Sequence, residues 1–273
     1  MYSCHVFTRV VIICEWRLHP QICMWLFLCY HSLSLSFQTP QLRSSALAPL
    51  FKADQLVCVP DFLDQTLVSA LAADASCIRA RQRAATAAPE HGSVEWLQLQ
   101  PDEPPPHEAD DKVGLAGRTC LLSFVEELRM QIERVAGIDL DAPVELKYAH
   151  YPCGGRYQRH VDGMNLGNVA REYSFLLYLN EEWSPSDGGH LRVFDVGGEP
   201  GHRDIAPAAG TLVVFKSDVV PHEVRPTTAR RLAIVGWFHR HVEPAVVDEA
   251  ALSPLARAIA EHYQAQGKRV RFA

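Results

Sequence analysis

The chain has no Cys-x-x-Cys pair, no unbroken apolar run of membrane-spanning length, no basic stripe and no internal repeat. Each absence removes a class. Without closely spaced cysteine pairs there is no zinc ribbon and no thioredoxin-type redox motif. The eight thiols are scattered at Cys4, Cys14, Cys23, Cys29, Cys58, Cys77, Cys120 and Cys153. In a domain of this size they are expected to stay reduced, which suits an intracellular compartment. A formal net charge of −6 offers no nucleic-acid-binding surface, because such a surface needs clustered positive charge. Arg79, Arg81 and Arg83 do cluster, and they read as the solvated face of a helix. The apolar stretch Ile22–Tyr30 falls short of the roughly 20 residues that span a bilayer, so membrane association is not expected. It has the length of a signal-peptide core, with Ala46-Leu47-Ala48 as a small-residue cleavage site. Pro49 directly after that site disfavours cleavage. Residues 1–50 therefore read as a targeting, signal-like or disordered segment, or as the product of a misplaced start codon. The expected location is cytoplasmic, with organelle or secretory targeting by residues 1–48 as the alternative.

What is present is enough for one large domain or two modest ones: 273 residues, 48% hydrophobic and 21% charged, ordinary values for a soluble fold. Folding is expected to begin near Leu56, with a short strand at 57–60 and a helix capped by Asp64 that carries Leu67, Leu71 and Asp74. Ala84–His91 reads as a loop, Val94–Leu99 as a strand, and the acidic, proline-rich Pro101–Asp111 as an exposed loop. From Cys120 to Val135, Leu121, Phe124, Val125, Leu128, Ile132 and Val135 recur with helical spacing, and Gly137 stands where that helix ends. After Val144 the period becomes two. Eight short runs come next, from Val144–Tyr151 to Arg231–His239, separated by Gly-, Pro- and Ser-rich turns. Many short, evenly spaced strands indicate a β-sandwich or barrel. Ser253-Pro254 opens a last helix to about Gln264. The expected division is 1–50, a helical support region over 51–140, a β core over 141–243, and a helix and tail over 244–273.

Within the β core, His160 and Asp162 flank Val161. Residues two apart on a strand point the same way, so both can reach one ion. Alone, His-x-Asp is a weak signal in a chain with thirteen histidines. His222 strengthens it, because Pro221 stiffens the backbone before it and a strand and turn precede it. Two imidazoles and a carboxylate on one face favour non-haem Fe(II) and leave open positions for oxygen chemistry. Arg231 opens the strand RLAIVGWF, where Arg231, Ala233, Val235 and Trp237 share one face and Leu232, Ile234 and Phe238 the other. A guanidinium on a mostly apolar strand needs an anion, either a surface ion partner or a bound carboxylate gripped bidentate. Tyr178 ends another apolar strand and has a hydroxyl to offer the same carboxylate.

The pieces YPCGGRYQRHVD, FLLYLNEEW, GGHLRVF, LVVFKSDVVPHEVRP and RRLAIVGWF, from about Tyr148 to His239, resemble the Fe(II)/2-oxoglutarate-dependent dioxygenases in their prolyl 4-hydroxylase-like branch. Arginine at 231, where collagen-type enzymes usually carry lysine, together with HEV-x-P after the histidine, is more similar to the oxygen-sensing prolyl hydroxylase group. The resemblance implies an α+β fold with a double-stranded β-helix (jelly-roll) core and helices packed on its outer sheet. It implies His160, Asp162 and His222 as iron ligands, and Arg231 with Tyr178 as the holder of the distal carboxylate of 2-oxoglutarate. Tyr151 and Trp237 would line the same pocket. The implied co-substrates are 2-oxoglutarate and O2, with ascorbate as a reductant, and the implied partner is a proline-containing protein or peptide. Gly163–Arg171 and Pro101–Asp111 are candidate lids over the substrate. Three other readings stay open: an oxygenase acting on a different residue or a small molecule, a zinc hydrolase, and a non-catalytic module on the same barrel.

Overall fold

Alternation along the last strand sorts the whole interior into two layers. Leu232, Ile234 and Phe238 join one buried cluster, while Ala233, Val235 and Trp237 join the other. Gly236 falls on the first face, where a Cβ would come within 2.3 Å of the Phe175 ring. In the computed structural model, residues 37, 40–51, 55–81, 85–86, 93–99, 109–164, 169–195 and 200–242 are described.

The strands are β1 (Leu56–Val59), β2 (Ala85–Thr86), β3 (Glu95–Gln98), β4 (Asp141–Tyr151), β5 (Tyr157–His160) and β6 (Val169–Tyr178). They continue with β7 (Leu191–Phe194), β8 (His202–Ile205), β9 (Leu212–Lys216), β10 (His222–Val224) and β11 (Arg231–His241). A large sheet has the order β1-β9-β6-β11-β4-β3-β2, and a small one β5-β10-β7-β8. All the ladders between named strands are antiparallel. Two facing antiparallel sheets with the chain alternating between them make the double-stranded β-helix expected of the sequence. Its strands β1, β2 and β3 come from before residue 140, so the large sheet draws on both sides of that boundary.

Two helices, α1 (Gln65–Arg81) and α2 (Ala109–Ala136), cover the outer face of the large sheet. Asp64 caps α1, its Oδ1 accepting from the Leu67 amide at 2.8 Å. Gly137 ends α2 at φ 66°, a left-handed conformation that costs glycine nothing. Gly114 and Gly117 let the helices close up: a Cβ at Gly114 would lie 3.0 Å from the Asp74 Cα, and one at Gly117 3.0 Å from the Ala70 Cβ. Phe124, Leu128 and Ile132 of α2 pack with Leu71 and Ile78 of α1 onto Tyr148, Phe175 and Ile234 of the sheet.

Several boundaries differ from expectation. Folding starts before Leu56: Ser44–Phe51 is a 3-10 helix, and Leu42, Leu47 and Leu50 are buried in the helix-side core. Leu47 has no exposed surface, so the Ala46-Leu47-Ala48 stretch is part of the packed fold. Helix α2 begins eleven residues earlier than the apolar periodicity begins and takes in Ala109–Asp111 from the acidic loop. Ala85–Thr86, expected in a loop, pairs with β3. Strand β6 begins at Val169 and so absorbs the end of the proposed Gly163–Arg171 loop. The N-terminal apolar run, the rest of the acidic loop and the helix at 253–264 lie outside the described residues. Among the described residues no helix is long and apolar enough to cross a membrane, and Cys58, Cys77, Cys120 and Cys153 form no disulfide.

Candidate active site

Strands β5 and β10 are neighbours in the small sheet, and their register sets His222 directly opposite His160. Opposed residues of an antiparallel pair bring their Cβ atoms to about 5 Å, so the pairing alone brings two imidazoles together. Asp162 stands two residues after His160, just beyond the end of β5. Gly163 comes next, and a Cβ there would be 2.8 Å from the Asp218 Cα. The absence of that side chain lets the segment after Asp162 lie against the turn leading into β10.

The three side chains converge. Their ligand atoms all lie within 4.8 Å of one another. Asp162 Oδ1 is 3.2 Å from His160 Nε2 and 3.8 Å from His222 Nε2, and the two imidazole centroids are 4.2 Å apart. On the far side of each ring, His160 Nδ1 is 2.7 Å from the Gln158 carbonyl and His222 Nδ1 is 3.0 Å from the Val220 carbonyl. A carbonyl only accepts, so each Nδ1 carries the proton and each Nε2 turns a lone pair to the common centre. The Phe215 ring packs against His222 at 4.8 Å and the Tyr157 ring against His160 at 4.7 Å, fixing both rings.

Burial works against the charge of Asp162, but His222 and His160 beside it hold its carboxyl well below the usual carboxylate range. Burial also lowers His222, outweighing the attraction of Asp162. For His160, burial is outweighed by Asp162, and its pKa is raised. An ionised carboxylate and two oriented imidazoles within reach of one point form a donor set for a divalent metal.

The second half of the site lies on the inner face of the large sheet. Arg231 pairs with Tyr151 across β11 and β4, and Tyr178 lies diagonal to it on β6, opposite Ala233. The guanidinium carbon sits 4.8 Å from the Tyr151 ring centroid and 5.1 Å from that of Tyr178. Arg231 is 1% exposed. Its Nε donates to the Gly189 carbonyl at 2.8 Å. Its two terminal nitrogens, and the Tyr178 hydroxyl, are buried with no hydrogen-bond partner among the described residues. An uncompensated buried cation of this kind is costly, and the cost is met when an anion binds. Burial pushes the Tyr178 phenol up to about 12, against the pull of Arg231, so it keeps its proton and can donate. Trp237 shares this inner face, but six strand residues on, about 20 Å along the strand. There its ring carries the Arg171 guanidinium at 4.1 Å and Lys147 at 5.6 Å, so it does not contact Arg231.

Several supporting residues carry no clear signal in the sequence. Gly189 is legible there only as a turn; at φ 70° it brings its carbonyl to Arg231, and a Cβ there would press on the Arg231 Cδ and the Thr227 Cβ, both at 3.1 Å. Asn180 stands two residues after Tyr178 and clamps the start of β11, its Oδ1 accepting from the Leu232 amide at 2.6 Å. Arg171, expected in a mobile loop, is in β6 with Glu145 as a bidentate partner at 2.8 and 3.0 Å. The carbonyls of Gln158 and Val220 leave no mark on a sequence at all. Of the other histidines, His190 packs edge-on against Trp183, and His202 belongs to β8.

A jelly roll with a His-Asp-His triangle on the small sheet and a buried arginine on the large one defines a class, the non-haem iron oxygenases. Comparison with known proteins gives the family. Residues 146–239 match the model of the 2OG-Fe(II) oxygenase superfamily. The crystal structure of a Pseudomonas putida prolyl-4-hydroxylase is 31% identical, with a TM-score of 0.63, over 73% of this chain and 99% of that one. The human prolyl hydroxylase EGLN3 is 39% identical over 46% of this chain and 53% of its own length. The Xenopus laevis prolyl 3-hydroxylase OGFOD1 is 32% identical over 42% of this chain and 23% of its own length. The chain belongs to the 2OG-Fe(II) oxygenase superfamily and is prolyl hydroxylase-like, while spanning only part of the length of the curated relatives it matches.

Proposed function

We propose that this chain is an Fe(II)- and 2-oxoglutarate-dependent dioxygenase that hydroxylates a proline side chain in a protein or peptide, with release of succinate and CO2. The observation that carries this reading is Arg231, a buried guanidinium with two free N–H edges on the same jelly-roll interior as the metal-type triangle. A zinc hydrolase has no use for it, and a non-catalytic module has no reason to bear its cost. A dicarboxylate satisfies it.

In this reading His160, Asp162 and His222 hold Fe(II), and the bound iron supplies the coupling of O2 reduction and 2-oxoglutarate decarboxylation to C–H oxidation. The chain does the rest. The Gln158 and Val220 carbonyls fix each imidazole as the tautomer that presents Nε2. Asp162 contributes one full negative charge, which matches the donor set to a divalent ion without neutralising it. Arg231, its Nε tied to Gly189, turns its remaining edge to the distal carboxylate as a planar fork. Tyr178 donates its hydroxyl to the same group, and Tyr151 covers the guanidinium. Val193, Val213, Phe215 and Val224 form an apolar lining that keeps water from the reaction. Trp237 lines the same interior further along β11. Ascorbate is assigned here the role of a reductant that restores the ferrous state.

Proline as the substrate is supported by the names of three relatives, one a prolyl 3-hydroxylase and one a prolyl-4-hydroxylase. Anaerobic addition of Fe(II) and 2-oxoglutarate should give a visible metal-to-ligand charge-transfer band. With O2 and a proline-rich peptide, succinate should form and the peptide should gain one oxygen, and fragmentation with hydroxyproline standards reads the carbon. Absence of the band sinks the oxygenase reading. Succinate formed while every proline stays unmodified sinks proline as the target.

A further inference from the structure

The segment that leaves Asp162 and the turn that enters His222 are both held at one irregularity in β6. Along β6 and β11, Phe238 stands opposite Tyr173 and the next residue, His239, opposite Arg171, so Glu172 is an extra residue in the ladder. An inserted residue of this kind is a β-bulge, which bends its strand and re-aims the side chains around it. The Arg171 amide donates to the Met164 carbonyl at 3.0 Å, just past Asp162. The Glu172 carbonyl accepts from the Ser217 amide at 3.1 Å, at the start of the turn before His222. Gly163 lets the two held segments meet at the Asp218 backbone.

The Glu172 side chain is buried, and its carboxylate takes two cations. Lys216 Nζ donates to Oε1, and Arg240 Nε donates to Oε2 at 3.0 Å. Lys216 is the last residue of β9, and a relay starts there. Its carbonyl accepts from the Val220 amide at 3.3 Å, and the Val220 carbonyl stands 3.0 Å from His222 Nδ1. Pairing alone satisfies a buried carboxylate wherever its cations come from. This geometry adds the position of one of them, at the root of the turn that ends in a ligand.

We propose that Glu172 is a positioning residue for the metal triangle, anchoring Lys216 and through it the turn over 216–221 that aims His222. The inference rests on the reading of His160, Asp162 and His222 as metal ligands. With the carboxylate removed, Lys216 turns to solvent, the turn loosens, and His222 Nε2 loses its fixed place beside Asp162. Groups that orient ligands from behind contribute about 10–100-fold in metal affinity, and through this relay the lower end applies.

The test is titration of the metal-free full chain with Co(II) in the cold, followed by the visible absorption of the bound ion, whose intensity and shape report ligand geometry. Wild type, Glu172→Gln, Lys216→Met and the double variant are compared, each shown by circular dichroism to be folded at the titration temperature. Lys216 is partly exposed at a strand end, so its variant decides the matter even if Glu172→Gln fails to fold. Each single variant should bind Co(II) about tenfold more weakly, with an altered band. The double variant should be no weaker than the weaker single one, because both break the same relay. A purely structural Glu172 would lower the melting temperature and leave Co(II) affinity and band as in wild type, which would overturn the proposal. Losses that multiply in the double variant would overturn it too. A wild type with no bound-Co(II) band would instead sink the triangle as a metal site, and the positioning role with it.

Discussion

Two arginines are buried on either side of the large sheet, and they are kept in opposite ways. Arg118, on the helix side, is 8% exposed and gives Nη2 and Nε to the two Asp74 oxygens at 2.6 and 3.1 Å, while the Tyr148 hydroxyl donates to the same carboxylate at 2.7 Å. Arg231, on the inner side, is more deeply buried and has one backbone carbonyl and two idle nitrogens. The first arrangement is complete within the chain and serves the fold. The second is incomplete by one anion, and that deficit distinguishes a binding group from a structural one where burial alone would not.

The largest expected effect concerns the triangle that accompanies Arg231. Asp162→Ala or His222→Ala should reduce succinate formation to the level of the metal-free protein while the far-UV spectrum and melting curve stay close to wild type. Turnover that persists in either variant would detach the triangle from the chemistry. Next come paired substitutions of the two arginine sites. Asp74→Ala leaves Arg118 and Tyr148 without their shared acceptor and should cost about 3–5 kcal/mol of unfolding free energy, with 2-oxoglutarate affinity unaltered in whatever protein remains folded. Arg231→Met should do the reverse. Removing an uncompensated buried charge should leave the ligand-free melting temperature unchanged or higher, yet weaken 2-oxoglutarate by about 2–5 kcal/mol, roughly 30-fold or more. A ligand-free Arg231→Met that melts far below wild type would erase the contrast between the two arginines.

Smaller effects sharpen it. Gly189→Ala places a Cβ in left-handed backbone beside Arg231 and Thr227. About 1–2 kcal/mol of stability should be lost, and the Michaelis constant for 2-oxoglutarate should rise several-fold because the guanidinium is displaced. Unchanged kinetics in Gly189→Ala would mean the carbonyl contact does not aim Arg231. The mildest is a pH effect near the middle of β4, opposite Trp237. Burial opposes the charge of Glu145, but His239, Arg171 and Lys147 around it hold its carboxyl far below its ordinary value. A folded-state value below the unfolded one means that this contribution is present above about pH 4.3 and is lost as pH falls further. Acid unfolding measured between pH 5 and 2 should therefore be less steep in Glu145→Gln than in wild type.

Much of this arrangement is legible in the order of residues. His-x-Asp at a strand end, a later histidine behind proline and an arginine on an apolar strand are local statements, and the period-two pattern places Arg231 and Trp237 on one face and Leu232 and Phe238 on the other. Edges are harder. The start of α2 at Ala109 lies in an acidic stretch whose composition resembles a loop. A first helical turn is costly to form alone, so this one depends on its continuation into the packed apolar stretch from Cys120 rather than on its own residues. Leu42, Leu47 and Leu50 read as part of an unplaced leader, because short apolar clusters carry no period long enough to interpret. Arg171 reads as solvent-facing loop because its partner, Glu145, is on another strand.

Residue order was sufficient for the kind of chemistry and the strand faces, since side-chain direction alternates with a fixed period and ligand types are chosen by the ion. Pairing and burial were a matter of three dimensions. That His222 stands opposite His160, that the Gln158 and Val220 carbonyls choose the tautomers, and that Arg231 lacks an anion while Arg118 has one, all depend on registers and close approaches between segments distant in the chain. Such contacts are set by packing, and no local run of residues encodes them.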